Sequence, residues 1–567
     1  MCGITGVVGL ADTQSIQNML SKIKHRGPDA NGYFVAEKAG IVWGHCRLSI
    51  MDPEGGDQPI YNEDKSISIV ANGEIYNSKE IQRILEQDSS ASEINPPAGN
   101  PDIHENPTIS LPPHSRRHIF STTSDTECIL HLYEEFGSDL VKYIDGMYSF
   151  AIVDRNQPEN RQILVARDPI GIKPLYYAEH QGALWFTSEA KSLADAGLGM
   201  STNPNGAQLQ IKEFPPGHYY TPAEGMNSFY SVPDIQPAVS STGTPGPAGS
   251  SPHQRPQAFI RQLRRTLEES VEKRLMSDVP LGCFLSGGLD SSIITAVARR
   301  KIGRPIHTFS VGFEGSPDLL AARSLAETLD TIHHEFVITE QAINEHLPDI
   351  IYHLESFDQD LVRSAIPTYF TARLAAEHVK VILTGEGADE LFAGYTYYKD
   401  IDEIEQYLHN ELRRSVETLH NINLQRVDRL TMAHSIEGRV PFLDLEMIKL
   451  AQRIPAEYKL FGYSLPSPEP TEKWILRKAF EDMLPEEIVW RRKEQFDEGS
   501  GTAGIMPRLA EQAVSDGEYR RHTARNSQLK LRSKEEAYYH QLFDRVYSNA
   551  QAVLETVGRW TERPDHI

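Results

Sequence analysis

Leu281-Gly282-Cys283-Phe284-Leu285-Ser286-Gly287-Gly288-Leu289-Asp290-Ser291-Ser292-Ile293-Ile294-Thr295-Ala296-Val297 runs from an apolar stretch through a glycine-rich turn into a second apolar stretch. The order predicts a strand–loop–helix junction. Gly287 and Gly288 let the backbone approach a ligand closely and turn its N–H groups inward. The start of the following helix adds free N–H donors and a positive dipole end, which suits phosphate. Ser286, Ser291 and Ser292 supply hydroxyl donors. Asp290 fits beside a phosphate only if a cation lies between them, so it reads as a ligand of Mg²⁺ bound to pyrophosphate. The loop has no Gly-Lys-Ser/Thr and is not a Walker A sequence. The competing reading is a glycine-rich turn capped by Asp and Ser.

Downstream, a strand is expected at Ile306-His307-Thr308-Phe309-Ser310-Val311 and another near 333–338, each preceded by a helix. Val379-Lys380-Val381-Ile382-Leu383 then leads into a second glycine-rich turn, Thr384-Gly385-Glu386-Gly387-Ala388-Asp389-Glu390. Strands alternating with helices predict an α/β domain with a parallel sheet covered on both faces. Ligands of such sheets bind at the C-terminal strand ends, so both turns should share one sheet edge. Glu386 and Asp389 could there supply a base and further Mg²⁺ coordination, or simply cap a helix. From about 400 to 560 the pattern is mainly helical. Upstream, Phe259, Leu263, Leu267, Val271 and Leu275 recur every four residues along one helix face.

The N-terminal part has another character. From 1 to about 88 and from about 118 to 220, short β-type runs such as Gly40-Ile41-Val42-Trp43-Gly44 and Ser66-Ile67-Ser68-Ile69-Val70 alternate with turn residues. Helices are expected only near 14–24 and 126–136, which makes an α+β, largely strand-built domain. Residues 89–117 interrupt it with Ser, Pro, Asn and charge and read as a mobile loop insertion. The Pro/Gly/Ser-rich stretch 231–257 reads as a flexible linker or loop. Cys2 stands next to the initiator. If Met1 is removed, one residue carries both a thiol and an α-amine, and the amine can take the thiol proton without a histidine.

The chain has 567 residues, too many for one core, with 39% hydrophobic and 24% charged residues. A net charge of −23 argues against nucleic acid held on a basic surface. No apolar stretch approaches a membrane span and no signal peptide is visible. Cys2, Cys46, Cys128 and Cys283 form no CxxC pair, which fits a reducing cytoplasm.

The turn Ser286–Ser292 resembles the PP-loop of ATP pyrophosphatases, which release pyrophosphate and transfer AMP. The wider chain resembles the glutamine-hydrolysing asparagine synthetases with an N-terminal nucleophile. The matching pieces are Cys2-Gly3-Ile4, His25-Arg26-Gly27-Pro28-Asp29, Arg47-Leu48-Ser49-Ile50, Asn72-Gly73-Glu74-Ile75-Tyr76-Asn77, Ser124-Asp125, Asp145–Ala151 and Arg167-Asp168. In the second half they are both glycine-rich turns, Ser310-Val311-Gly312, Arg439–Asp444 and Glu472-Lys473.

This resemblance implies an N-terminal-nucleophile (Ntn) hydrolase sandwich over 2–213 and a synthetase domain over 254–550. It implies that the Cys2 thiolate attacks the glutamine amide, with Asn72 and Gly73 as oxyanion donors. Arg47 would pair with the glutamine α-carboxylate, Glu74 and Asp125 would hold the α-ammonium, and Leu48, Ser49, Ile50 and Met51 would complete the pocket. ATP would meet Leu285, Ser286, Gly287, Gly288, Leu289, Asp290, Ser291, Ser292, Val311, Thr384 and Gly385. Mg²⁺ would meet Asp290 and Asp389. Glu386 and Lys473 would assist catalysis, and Arg363 would lie near the acceptor acid. Read without the family, Asn72-Gly73 is a hairpin turn and Arg47 a surface ion pair. The implied partners are small molecules alone, with a homodimer compatible.

One stretch departs from the family. Asp360-Leu361 stand where many asparagine synthetases carry two threonines near the acceptor. An acid there would repel an aspartate carboxylate unless it points away or meets the ammonium. An amidotransferase acting on another carboxylic acid is therefore the alternative expectation.

Overall fold

A computed structural model describes residues 2–36, 40–86, 117–158, 162–196, 209–238, 256–400, 404–462, 470–494, 496–547 and 549–560. The insertion expected at 89–117 and most of the linker expected at 231–257 lie outside the described residues. The chain divides into two compact units, Met1–Ser231 with Tyr547–Thr556, and Val232–Val546 with Val557–Ile567.

The first unit stacks two six-stranded sheets. Its strands are β1 (Cys2–Val8), β2 (Ala30–Ala36), β3 (Ile41–Arg47), β4 (Ile60–Tyr61), β5 (Ile67–Ile75), β6 (Gly146–Asp154), β7 (Ile163–Arg167), β8 (Tyr176–His180), β9 (Ala183–Thr187), β10 (Lys212–Glu213), β11 (His218–Thr221) and β12 (Gly225–Ser228). The orders are β10-β8-β9-β1-β3-β2 and β12-β11-β7-β6-β5-β4, with every named pairing antiparallel. Alternation along the strands assigns side chains to layers. Val70, Ala151 and Val153 join Ile4, Trp43 and Phe186 in the core between the sheets. Ile69, Phe150 and Ile152, one position along, face outward onto α3 (Glu127–Phe136) and α2 (Ser78–Leu85). The opposite outer layer is α1 (Thr13–Ile23) and α4 (Ala190–Ala194).

The first unit extends beyond residue 213 because β11 pairs with β7 and β12 with β11, lengthening the second sheet. It also takes in the helix Ala550–Leu554, whose Ala552 and Val553 are buried and which packs on α4. The segments of one compact unit thus lie at both ends of the sequence.

The second unit holds a five-stranded, wholly parallel sheet. Its strands are β13 (Leu281–Phe284), β14 (His307–Gly312), β15 (Ile332–Val337), β16 (Val381–Leu383) and β17 (Glu437–Arg439), in the order β15-β14-β13-β16-β17. The connecting helices are α5 (Pro256–Lys273), α6 (Leu289–Ile302), α7 (Pro317–Leu329), α8 (Glu340–Leu354), α9 (Gln359–Ala375) and α10 (Ala388–Phe392), followed by a mainly helical remainder. From β13 the chain builds outward through β14 and β15, then returns to the other side for β16. The topological switch point therefore falls between β13 and β16, where such sheets bind ligands.

Candidate active sites

In the first unit, Cys2 opens β1 and pairs in register with Arg47 at the end of β3. Asn72, Gly73 and Glu74 lie in the facing sheet, on β5. The Cys2 main-chain nitrogen donates to Asn72 Oδ1 at 2.9 Å, so one hydrogen bond joins the two sheets at Cys2. Asn72 Nδ2 is buried without a hydrogen-bond partner among the described residues. Gly73 has φ 154°, and a Cβ there would lie 2.0 Å from Met147 O, so only glycine fits. Asn72-Gly73 is thus mid-strand rather than a hairpin turn.

The Cys2 thiol is buried, which raises its pKa, while the Leu48 N–H and the Arg47 guanidinium pull it back. Arg47 is also buried rather than a surface ion pair. Its Nη atoms donate to the carbonyls of Met51, Asp52 and Pro53 and to Asp57 Oδ1 at 2.7 Å. Asp125 Oδ2 accepts from Ile75 N at 2.6 Å, just beyond Glu74. Ser49 N donates to Asp29 Oδ2 at 2.8 Å, and Ile50 is buried.

Beneath Cys2 lies a buried group that sequence reasoning did not single out. Arg26 donates to Cys2 O at 3.1 Å and pairs with Glu189 at 2.8 Å, and Glu189 also holds His25 and Lys191. In the sequence His25-Arg26 stands out only as part of a motif. Nothing in the spacing pointed to Glu189, more than 160 positions away.

In the second unit both glycine-rich turns line one cavity of about 370 Å³. A Cβ on Gly385 would lie 2.8 Å from Asp290 Cβ and 2.9 Å from Ser291 N, so the second turn packs directly on the start of α6. Leu285, Ser286, Gly288, Leu289, Asp290, Ser291, Val311, Thr384, Gly385, Glu386, Asp389 and Lys473 all line this space. Gly287 sits at the crown of the turn with φ 71°, and Ser292 Oγ donates to Gly288 O.

Lys473 bridges the two expected metal ligands, at 2.5 Å from Asp290 and 2.6 Å from Asp389, and Lys493 reaches Asp389 at 2.9 Å. Burial works against the charge on Asp389, but the two lysines outweigh it and hold its pKa well below the usual carboxylate range. Asp290 Oδ1 is buried without a hydrogen-bond partner among the described residues. Glu386 is pushed up by burial and drawn back by its ion pair with Arg426. Arg426, Arg491, Arg492 and Lys493 complete a cationic lining that no local motif announced.

Asp360 lines the cavity and pairs with Arg532 at 2.8 Å. Arg363 is not among the residues that line the cavity. Its guanidinium is engaged by Glu535 at 2.8 and 2.6 Å and lies 4.0 Å from Asp360, which does line it.

Comparison with known proteins matches the asparagine synthase family over 262–407 and 402–563 and the glutamine amidotransferase domain family over 1–94 and 108–231. A glutamine-hydrolyzing asparagine synthetase of Zea mays is 36% identical over 98% of this chain and 88% of its own length. One from Arabidopsis thaliana is 35% identical over the same shares. A solved glutamine phosphoribosylpyrophosphate amidotransferase from B. subtilis, complexed with ADP and GMP, aligns over 68% of this chain and 81% of its own. Its identity to this chain is 16% and the TM-score 0.29. With both halves matched in order and relatives above one-third identity along nearly its whole length, the chain belongs to the asparagine synthase family, with a glutamine amidotransferase domain at its N-terminal end.

Proposed function

We propose that the protein is an ATP-dependent, glutamine-hydrolysing amide ligase. It would convert aspartate, glutamine and ATP into asparagine, glutamate, AMP and pyrophosphate. The observation that carries this reading is the presence in one chain of a Cys2–Asn72 centre and a switch-point cavity with two glycine-rich turns.

With Met1 removed, the nitrogen that donates to Asn72 is an α-amine, which takes the Cys2 proton as the sulfur attacks the glutamine side-chain amide. Asn72 Nδ2 and the Gly73 N–H are the fixed donors for the oxyanion. The amine returns the proton to the departing ammonia, and water releases glutamate from the thioester. Arg47 is proposed for the substrate α-carboxylate. Its partner Asp57 is 72% exposed and is the group a substrate would replace. Main chain and side chains of Leu48–Met51 would complete the pocket, with Glu74 and Asp125 for the α-ammonium.

In the second centre the acceptor carboxylate attacks the ATP α-phosphorus, and pyrophosphate leaves. Ser286–Ser292 would cradle phosphate at the start of α6, with Leu285, Val311, Thr384 and Gly385 against the nucleotide. Asp290 and Asp389 would hold Mg²⁺, which neutralises phosphate charge. The unpartnered Asp290 Oδ1 and the cation already shared between these carboxylates fit that assignment. Lys473 would then face developing phosphate charge. Glu386, its pKa raised by burial, would take a proton from ammonia as the ammonia displaces AMP. Asp360 gives the cavity a carboxylate for an amino-acid ammonium, and Arg426 and Lys493 give it cations for carboxylate and phosphate. All four cysteines are buried and unpaired, and we propose the cytoplasm as the compartment.

ATP–pyrophosphate exchange with a panel of acids tests the reading. Aspartate should support the fastest exchange. Exchange with another acid and none with aspartate would overturn it.

A further inference from the structure

Glu63, on the turn between β4 and β5, meets His118 and two residues of α3, His131 and Glu134. One potential ligand atom from each lies within 4.8 Å of all the others. Glu134 Oε2 is 2.7 Å from His131 Nδ1 and 3.3 Å from His118 Nδ1. Ligand atoms around a tetrahedral ion with bonds of roughly 2.0–2.1 Å stand at about this separation. His118 and His131 are 5% and 0% exposed, so both imidazoles are out of water.

The far nitrogen of each ring faces another carboxylate. His118 Nε2 lies 2.7 Å from Glu135. His131 Nε2 lies 3.6 Å from Glu127 and has no hydrogen-bond partner. A carboxylate behind a ligating imidazole orients the ring and raises its basicity. Glu127, and Glu134 among the ligands, are themselves anchored. Glu127 accepts from the N–H and hydroxyl groups of Ser121 and Thr122, and Glu134 Oε1 accepts from Asn62 at 3.0 Å.

We propose that Glu63, His118, His131 and Glu134 form a binding site for a divalent transition metal of the zinc type, separate from the residues assigned to glutamine. Two imidazole and two carboxylate ligands suit Zn²⁺ in tetrahedral coordination and Co²⁺ as its spectroscopic substitute. The ion would tie the β4–β5 turn to His118 and α3 and would hold the segment leading to Asp125 against α3.

The test uses full-length protein stripped by a chelator and titrated with Zn²⁺ alone. Two other histidine groups, His307/His334/His378 and His522/His540/Asp544, could take metal independently, so His334→Ala serves as a control. The unaltered protein and His334→Ala should share a tight equivalent that His118→Ala lacks. Co²⁺ should give the unaltered protein visible tetrahedral ligand-field absorption that His118→Ala does not show. Glu63→Gln changes an exposed side chain and leaves both histidines in place, so it decides the matter if His118→Ala fails to fold. It should weaken Zn²⁺ binding by about tenfold or more. Unchanged stoichiometry in His118→Ala, or unchanged affinity in Glu63→Gln, overturns the site.

Discussion

A Cβ on Gly73 would lie 2.6 Å from Tyr148 Cα as well as striking Met147 O, so β5 can place Asn72 beside Cys2 only with glycine following it. Removing the Asn72 amide deletes the proposed oxyanion donor and the acceptor for the Cys2 nitrogen together. Asn72→Ala should lower glutamine-dependent turnover by about 10²–10³-fold and leave synthesis from added ammonia intact, as steady-state assays with either nitrogen source would show. Locally, Asn-Gly is a turn signal; the pair is mid-strand because β5 gains its strand character from pairing with β6, on residues distant in sequence. Lys459 is a second case. It is 3% exposed, and burial alone lowers its pKa to about 7. Between that value and about 10.5 the unfolded chain binds the extra proton, so burying this group costs stability in full below about 7 and the cost is relieved as pH rises toward about 10.5. Lys459→Met should raise the melting temperature at pH 6 more than at pH 10; an equal shift at both would contradict the assignment.

At the level of elements, the second centre depends on loops packed without slack. A Cβ on Gly394 would lie 1.9 Å from Asp389 Oδ1 and 2.1 Å from Lys473 Cε. Lys473 itself has φ 53°, an αL residue capping the helix Trp474–Phe480. Strain of that kind persists only where surrounding contacts enforce it. Gly394→Ala should therefore cut ATP–pyrophosphate exchange at least about 100-fold while glutamine hydrolysis survives; coupled assays on one preparation would show whether the two losses separate. The strands and both glycine-rich turns were legible because each is a local pattern of apolar run and breaker. The helix at Ser78–Leu85 was missed, being short and carrying only Ile81, Ile84 and Leu85 as its apolar stripe. Arg426 and Lys493 were missed for another reason. They enter the cavity from elements whose approach is set by tertiary packing, and no spacing in the chain encodes it. The partner of Arg363 was hidden by the same gap: its position on α9 was readable, Glu535 opposite it was not.

For the whole molecule, the two centres should fail independently. Cys2→Ala should abolish glutamine-dependent synthesis and spare the ammonia-dependent reaction, whereas Asp290→Ala should remove adenylation and spare basal glutamine hydrolysis. Loss of both activities in either variant, with the fold intact by circular dichroism, would defeat the two-centre account. A retained Met1 or an N-terminal tag should mimic Cys2→Ala. The division into a strand-built half and a parallel-sheet half was legible from composition and periodicity, but the membership of Ala550–Leu554 was not, because a short amphipathic helix carries no mark of which core it covers. That helix has a consequence for biosynthesis. Val232–Val546 leaves the ribosome before the last piece of the N-terminal unit exists, so the surface of α4 that it covers stays bare while the second unit is being made. Until that helix is made, the α4 surface is exposed apolar area of the kind that makes a partly folded chain prone to aggregate.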